Sequence, residues 1–257
     1  MLANGESLAR KNFLAMKSLS KSMAVLIHVP MNFITIAIDG AAATGKTSTA
    51  LRIAEKYGFL AVSTGLHYRA ITLEMLRAGV KISDTSSINA FLLTITTGTK
   101  IVKNSSYISL NGTVFSESEL RIREINAVVS QYSAVGGIRK FLFEYQRSQR
   151  DVARKNNFKG LVEEGRDIAS VIFPDADLKF FLEASADNRS LRREKDSEED
   201  DVLARDKIDG ERTIRGKDVM CIDTGLNNLG AVVAIISAKI DELARQPAVM
   251  DQDPNIL

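Results

Sequence analysis

Ile34-Thr35-Ile36-Ala37-Ile38-Asp39-Gly40-Ala41-Ala42-Ala43-Thr44-Gly45-Lys46-Thr47-Ser48 is the stretch that decides the fold. Residues 33–38 are apolar and β-branched, the pattern of a strand buried on both faces. From Gly40 the chain satisfies G-x-x-x-x-G-K-[ST] in full, and a helix is expected to begin near Gly45. Strand, glycine-bearing turn and helix together make a phosphate-binding loop for a nucleoside triphosphate. Glycine lets the backbone approach phosphate and aim successive N–H groups at it. The helix N-terminus adds partial positive charge. Gly40, Ala41, Ala42, Ala43, Thr44, Gly45, Lys46, Thr47 and Ser48 are therefore the ATP-binding candidates. Lys46 is placed to bridge the β- and γ-phosphates, and the Thr47 hydroxyl to bind Mg2+. Ala41 and Ala43 carry Cβ atoms, so the loop is expected to avoid positive φ at both.

Outward from the loop, strand-like runs recur at 59–62, 160–164, 178–182 and 219–223. Helices are expected at 45–57, through Tyr68 to a cap at Gly79, at 84–97, 117–133, 136–157 and 228–245. Five buried strands alternating with helices predict a parallel α/β sheet. Between them, Thr99–Lys103, Tyr107–Leu110 and Thr113–Phe115 are short β runs separated by Asn104-Ser105-Ser106 and Asn111-Gly112. Both separators are turn signals, so a small antiparallel insert is expected. The stretch 184–218 is dense in charge, with 9 Lys/Arg and 11 Asp/Glu.

The 257 residues suffice for one sizeable α/β domain with insertions. Apolar residues are 45% and charged residues 26%, the balance of a globular protein. A net charge of +2 advertises no nucleic-acid partner. No apolar run reaches the length of a membrane span. The single cysteine, Cys221, fits a reducing compartment, and its apolar neighbours Val219, Met220 and Ile222 predict burial in the core. Residues 1–30 carry Arg10, Lys11, Lys17 and Lys21 against one acid, Glu6, and read as a disordered extension, with Met16, Met23 and Met31 as alternative starts. A cytoplasmic monomer is expected.

A phosphate loop alone does not specify a reaction. Switch GTPases need D-x-x-G and N-K-x-D motifs, and neither is present. A motor-type ATPase needs an acid at the end of an apolar strand, for which Leu161-Val162-Glu163-Glu164 is the candidate. Three arginine-bearing clusters follow the loop: Ser63 to Arg69, Gly165-Arg166-Asp167, and Arg205, Asp209 and Arg212. Arginine's planar fork binds phosphate in a bidentate manner, as transfer between two phosphates requires. Gly165-Arg166-Asp167 follows a strand directly, where open α/β sheets bind ligands.

At these residues the chain resembles the bacterial-type cytidylate kinases. The resemblance runs from about Ile34 to Ile240 and rests on Thr64-Gly65-Leu66-His67-Tyr68-Arg69-Ala70, Glu163-Glu164-Gly165-Arg166-Asp167-Ile168 and Val171-Ile172-Phe173-Pro174-Asp175-Ala176. It implies ATP-dependent phosphorylation of CMP and dCMP with Mg2+, by direct in-line transfer. Thr64, Tyr68 and Arg69 fall where the family contacts the acceptor nucleotide. Ser130 and Arg139 fall where it reads cytosine together with Asp167, and Arg166 near the acceptor phosphate. Arg205, Asp209 and Arg212 match a family pattern that serves ribose and phosphates. Arg189, with Arg192 and Arg193, resembles the arginines of a lid over the transferring group. Lys46, Arg166, Arg189, Arg205 and Arg212 are then the catalytic candidates. Departures are Ala41, Ala43, Ser63 and Glu164, a short acidic lid over Glu194–Asp201, and Thr213-Ile214-Arg215-Gly216-Lys217 after Arg212.

The fold expected is thus a P-loop NTPase-type α/β fold: a five-stranded parallel sheet flanked by helices, an antiparallel-β and helical acceptor-binding insert, and a short lid. Its parts are an extension (1–30), core with phosphate loop (31–80), insert (81–159), core (160–183), lid (184–217) and core with the C-terminal helix (218–257). The alternatives are a kinase for UMP, AMP or a non-nucleotide acceptor, and a catalytically weak ATP-binding regulator. His67 is expected to be a spectator, because a phosphate acceptor is already anionic and needs no base.

Overall fold

In the computed structural model, residues 33–195, 207–210 and 215–245 are described, with side chains of 193–195 left aside. The extension, Arg205, Arg212, the acidic run beyond 195 and residues 213–214 lie outside them.

The described strands are β1 (Ile34–Gly40), β2 (Leu60–Ser63), β3 (Thr97–Val102), β4 (Ser105–Leu110), β5 (Thr113–Val114), β6 (Gly160–Gly165), β7 (Leu178–Glu183) and β8 (Met220–Asp223). The helices are α1 (Lys46–Tyr57), α2 (Thr64–Arg77), α3 (Thr85–Leu92), α4 (Glu117–Leu120), α5 (Arg123–Ala134), α6 (Gly136–Lys155), α7 (Ala186–Lys195) and α8 (Leu229–Arg245), with a π-helical turn at Ile168–Ile172. The five expected strands form a parallel set in the order β2-β6-β1-β7-β8. β1 and β6 are buried at every residue, as their apolar runs require.

The insert is antiparallel, as expected, but it is not a separate sheet. β4 lies parallel to β2 through Ala61↔Ser105 and Val62↔Ser106, so β3, β4 and β5 extend the main sheet past its β2 edge. Asn104 makes the joint: Ala61 N donates to its carbonyl at 2.7 Å, and its side-chain amide donates to Phe59 O at 2.9 Å.

Three expectations are corrected. Helix α3 ends at Leu92 rather than 97, because β-branched Thr94-Ile95-Thr96-Thr97 favours extended backbone and Asn111 Oδ1 takes the Thr96 N–H. The helix expected over 117–133 is two, α4 and α5, broken at Arg121-Ile122. Cys221 is exposed, because β8 is an edge strand whose only neighbour among the described residues is β7. The cap at Gly79 is borne out, at φ +68°.

Candidate functional site

The parallel strands all point their C-terminal ends at one rim, where a cavity of roughly 600 Å³ opens. One wall is the phosphate loop. Gly40 sits at φ +146°, and a Cβ there would lie 2.1 Å from Leu182 O, so only glycine allows β1 to pass β7 this closely. Gly45 caps α1 in the left-handed region at φ +88°. Ala43 is also left-handed, at φ +59°, against the expectation that its Cβ would forbid it. The loop has to turn its N–H groups inward there, and holds an alanine in the left-handed region at a cost of order 1 kcal/mol. Ala41 is not among the positive-φ residues. Ala42, Ala43, Thr44, Gly45, Lys46, Thr47 and Ser48 line the cavity, while Gly40 and Ala41 form the root of the loop behind it. Lys46 Nζ donates to Ala41 O at 2.7 Å, and Thr44 Oγ1 to the same carbonyl at 3.0 Å.

The opposite wall holds the expected acceptor residues. Thr64, Tyr68, Arg69, Ser130, Arg139, Arg166, Asp167 and Asp209 all border the same cavity. Thr64 Oγ1 donates to Glu164 O at 2.9 Å, tying the start of α2 to the end of β6. Arg69 is buried, and its Nη1 donates to Leu120 O at 2.8 Å and to Asn126 Oδ1 at 2.6 Å. Arg139 is ion-paired with Asp167. Arg166 Nη1 donates to Gly40 O at 2.6 Å, and its Nη2 pairs with Asp209 at 2.9 Å.

Arg189 does not line the cavity. It is buried behind the phosphate loop, with Nη1 3.4 Å from Ala42 O and Nε donating to Ala184 O. Its neighbour Arg192 does line it, donating to Ala43 O at 3.0 Å and to Thr224 O at 2.6 Å.

Three carboxyl groups at the strand ends differ in kind. Asp39 is buried and accepts from Ile168 N and Ala169 N, each at 2.8 Å. Burial pushes its pKa up to about 6 against those two hydrogen bonds, with the nearby Asp167 charge adding to the rise. Glu163 is fully buried on β6 with neither oxygen hydrogen-bonded among the described residues, and burial, then the Glu164 and Asp39 charges, raise its pKa well above the usual range. Glu164 points the other way, into the cavity, where its Oε1 accepts from Thr47 Oγ1 at 2.8 Å and Ser63 Oγ at 2.5 Å. Thr47 and Glu164 offer hard oxygen donors beside the phosphate loop, the donor type Mg2+ takes, so the residues present fit that ion. His67 is buried with no exposed surface, and burial lowers its pKa to about 3.

The sequence matches the family described as cytidylate kinase over residues 36–242. The chain belongs to the cytidylate kinase family. It is 35% identical over 222 residues to a cytidylate kinase of Streptomyces avermitilis, covering 81% of this chain and 93% of that one. It is 36% identical over 215 residues to one from Clostridium botulinum, covering 78% and 94%. A solved sugar kinase from Janibacter is similar at 9% identity and TM-score 0.47, covering 81% of this chain and 95% of that one, a likeness too slight to carry an argument.

Against the cytidylate kinase reading of the sequence, Glu117, Arg121 and Ser133 are additions: all three border the cavity. Arg121 and Glu117 pair at 3.1 Å with i,i+4 spacing, which in sequence is indistinguishable from a surface ion pair. Glu164 is the fourth addition. Its signal was present as the acid ending an apolar strand.

Proposed function

We propose that this member of the cytidylate kinase family phosphorylates CMP, and dCMP, to the diphosphate at the expense of Mg·ATP. The observation that carries the reading is one cavity bordered at one end by the phosphate loop and at the other by Ser130, Arg139 and Asp167. Cytosine presents an exocyclic amino donor and a ring nitrogen and carbonyl that accept. A carboxylate and hydroxyl complement the first, and a guanidinium the others.

ATP lies with its phosphates along residues 40–47, and Lys46 leaves Ala41 O to bridge the β- and γ-phosphates. Thr47 and Glu164 would hold Mg2+, which neutralises charge on the transferring phosphoryl group. Arg69, Arg121 and Arg166 bind the acceptor phosphate, and Arg192 faces the donor side. An acceptor oxygen, already anionic, attacks the γ-phosphorus in line as the bond to the β-bridging oxygen breaks. Positioning and charge neutralisation carry the rate, with no covalent enzyme intermediate. His67, buried and neutral, takes no part. Arg205 and Arg212 join the acceptor site in this reading, and Arg189 holds the loop from behind. The enzyme works as a cytoplasmic monomer on small nucleotides; no helix among the described residues is long and apolar enough to cross a membrane.

The test is product analysis by ion-exchange chromatography after incubation with Mg·ATP and, separately, CMP, dCMP, UMP and AMP. CDP and dCDP should form, and Lys46→Met should lower kcat by at least about 100-fold, since a phosphate-bridging cation is lost. ATP bound but no diphosphate from any acceptor would move the protein to the regulatory class. UDP or ADP as the main product would move it to another acceptor.

A further inference from the structure

The structure assigns Asp39 the role of a positioning residue: its carboxylate holds the segment carrying Asp167 against the root of the phosphate loop, so that donor and acceptor subsites share one rigid seam. The inference rests on the nucleotide kinase reading of the cavity and adds to it a residue that touches neither nucleotide.

Asp39 is the last residue of β1 before Gly40, and is 1% exposed. One oxygen accepts from Ile168 N and the other from Ala169 N, each at 2.8 Å. These are the first two N–H groups of the π-helical turn, donors that a helix start leaves without partners of its own. With both oxygens engaged, the two residues following Asp167 are fixed in distance and in rotation. The grip is returned from the other side, because Arg166 donates to Gly40 O at 2.6 Å. Gly40 itself lies opposite Leu182 in the β1–β7 pairing. Three hydrogen bonds therefore cross between two adjacent residues of β1 and four consecutive residues following β6.

A cap that served the fold alone would not need a charge. Serine, threonine or asparagine satisfies helix-start N–H groups without burying an anion. An anion here is also close enough to Asp167 to be repelled by it. What the carboxylate adds is two acceptors in fixed geometry, hence orientation of Asp167, the residue paired with Arg139 across the acceptor end of the cavity. Misplacing such a group by about an ångström is enough to cost about 100-fold in rate.

Asp39→Asn in the full chain keeps the shape and one acceptor, and turns the other towards a backbone N–H as a second donor. Asp39→Ser is the companion variant, should the amide disturb folding. Three readouts are taken: steady-state kinetics with CMP, calorimetric binding of Mg·ATP without acceptor, and hydrogen exchange at the Ile168 and Ala169 amides by NMR. The KM for CMP should rise and kcat fall, each by about tenfold or more. The Mg·ATP Kd should stay within about twofold, and exchange at the amide that loses its acceptor should quicken by about tenfold or more, the loss of one hydrogen bond. Unchanged CMP kinetics, or CMP and ATP binding weakened equally, would overturn the role. If the parent makes no CDP, the function proposed above falls on its own. The exchange rates still decide the seam: faster exchange at the Ile168 or Ala169 amide with ATP binding intact sustains it, and unchanged rates at both sink it.

Discussion

His67 has no exposed surface, neither of its ring nitrogens has a hydrogen-bond partner among the described residues, and its ring stands edge-on to Tyr145 at 5.0 Å. A buried polar group without a partner costs about 1–3 kcal/mol. The cost also depends on pH. The unfolded chain takes a proton on this imidazole below about pH 6.5, while the folded chain resists it down to about pH 3. Stability from this residue is therefore intact above pH 6.5 and is lost as pH falls towards 3. Asp39 has the opposite sign: its pKa is raised to about 6, so its contribution is most favourable below pH 4 and is lost as pH rises through 6. A single pH–stability curve of the parent mixes the two, but a variant at 67 isolates one. His67→Met should stabilise by about 1–2 kcal/mol at pH 7, and its advantage should grow by about 2 kcal/mol on going to pH 5. Urea unfolding at both pH values measures it, and a pH-independent advantage would mean the imidazole finds a partner in the fold. Activity towards CMP should survive at pH 7, since no step uses this ring.

The break between α4 and α5 shows how an element can be shaped by a site. The two last-turn carbonyls there are spent elsewhere: Leu120 O on Arg69, 51 residues earlier, and Arg121 O on the Asn126 amide. Asn126 also accepts from Arg69 at 2.6 Å. One asparagine thus fixes the direction of a buried guanidinium and the corner from which Arg121 enters the cavity. Asn126→Ala should leave Arg69 short of an acceptor and weaken CMP binding by about tenfold, equivalent to about 1.4 kcal/mol. The KM for ATP should not move, and equal weakening of both substrates would mean that the corner supports the whole cavity. This break was not legible in the sequence, because helical periodicity continues through residues 117–133 and the guanidinium that takes the Leu120 carbonyl lies 51 residues away in the chain. Features set by neighbours within a few residues were legible, as the phosphate loop and the cap at Gly79 demonstrate. Ala43 was not, although it belongs to the most legible motif of all. Its φ is imposed by what the loop must face, and a local steric rule does not carry that information.

Across the whole sheet, burial falls from the centre to the edges. β1 and β6 are buried throughout, while β8 exposes Met220 and Cys221 and β3 is largely open. The chemistry follows that gradient, since the phosphate loop leaves β1, and Glu164, Arg166 and Asp167 leave β6. Parallel α/β order was readable from alternating apolar runs, but which run lies at the edge is a property of pairing, not of composition. Val219, Met220, Cys221 and Ile222 look like a core strand for that reason. Cys221 pairs with Phe181 of β7 on one side, and among the described residues has no strand on the other. A thiol so placed should react with a soluble aromatic disulfide reagent in the native protein, in buffer without denaturant, to about one equivalent per chain. The labelled enzyme should keep kcat and both KM values within about twofold, because the edge strand contributes no group to the cavity at that position. Cys221→Ser should change the unfolding free energy by no more than about 0.5 kcal/mol, the range of surface substitutions. Labelling that required urea would place a further element over β8. Labelling that abolished turnover would mean that the rim from Asp223 to Thr224, which Arg192 grips beside the phosphate loop, transmits a disturbance at the edge to the centre of the sheet.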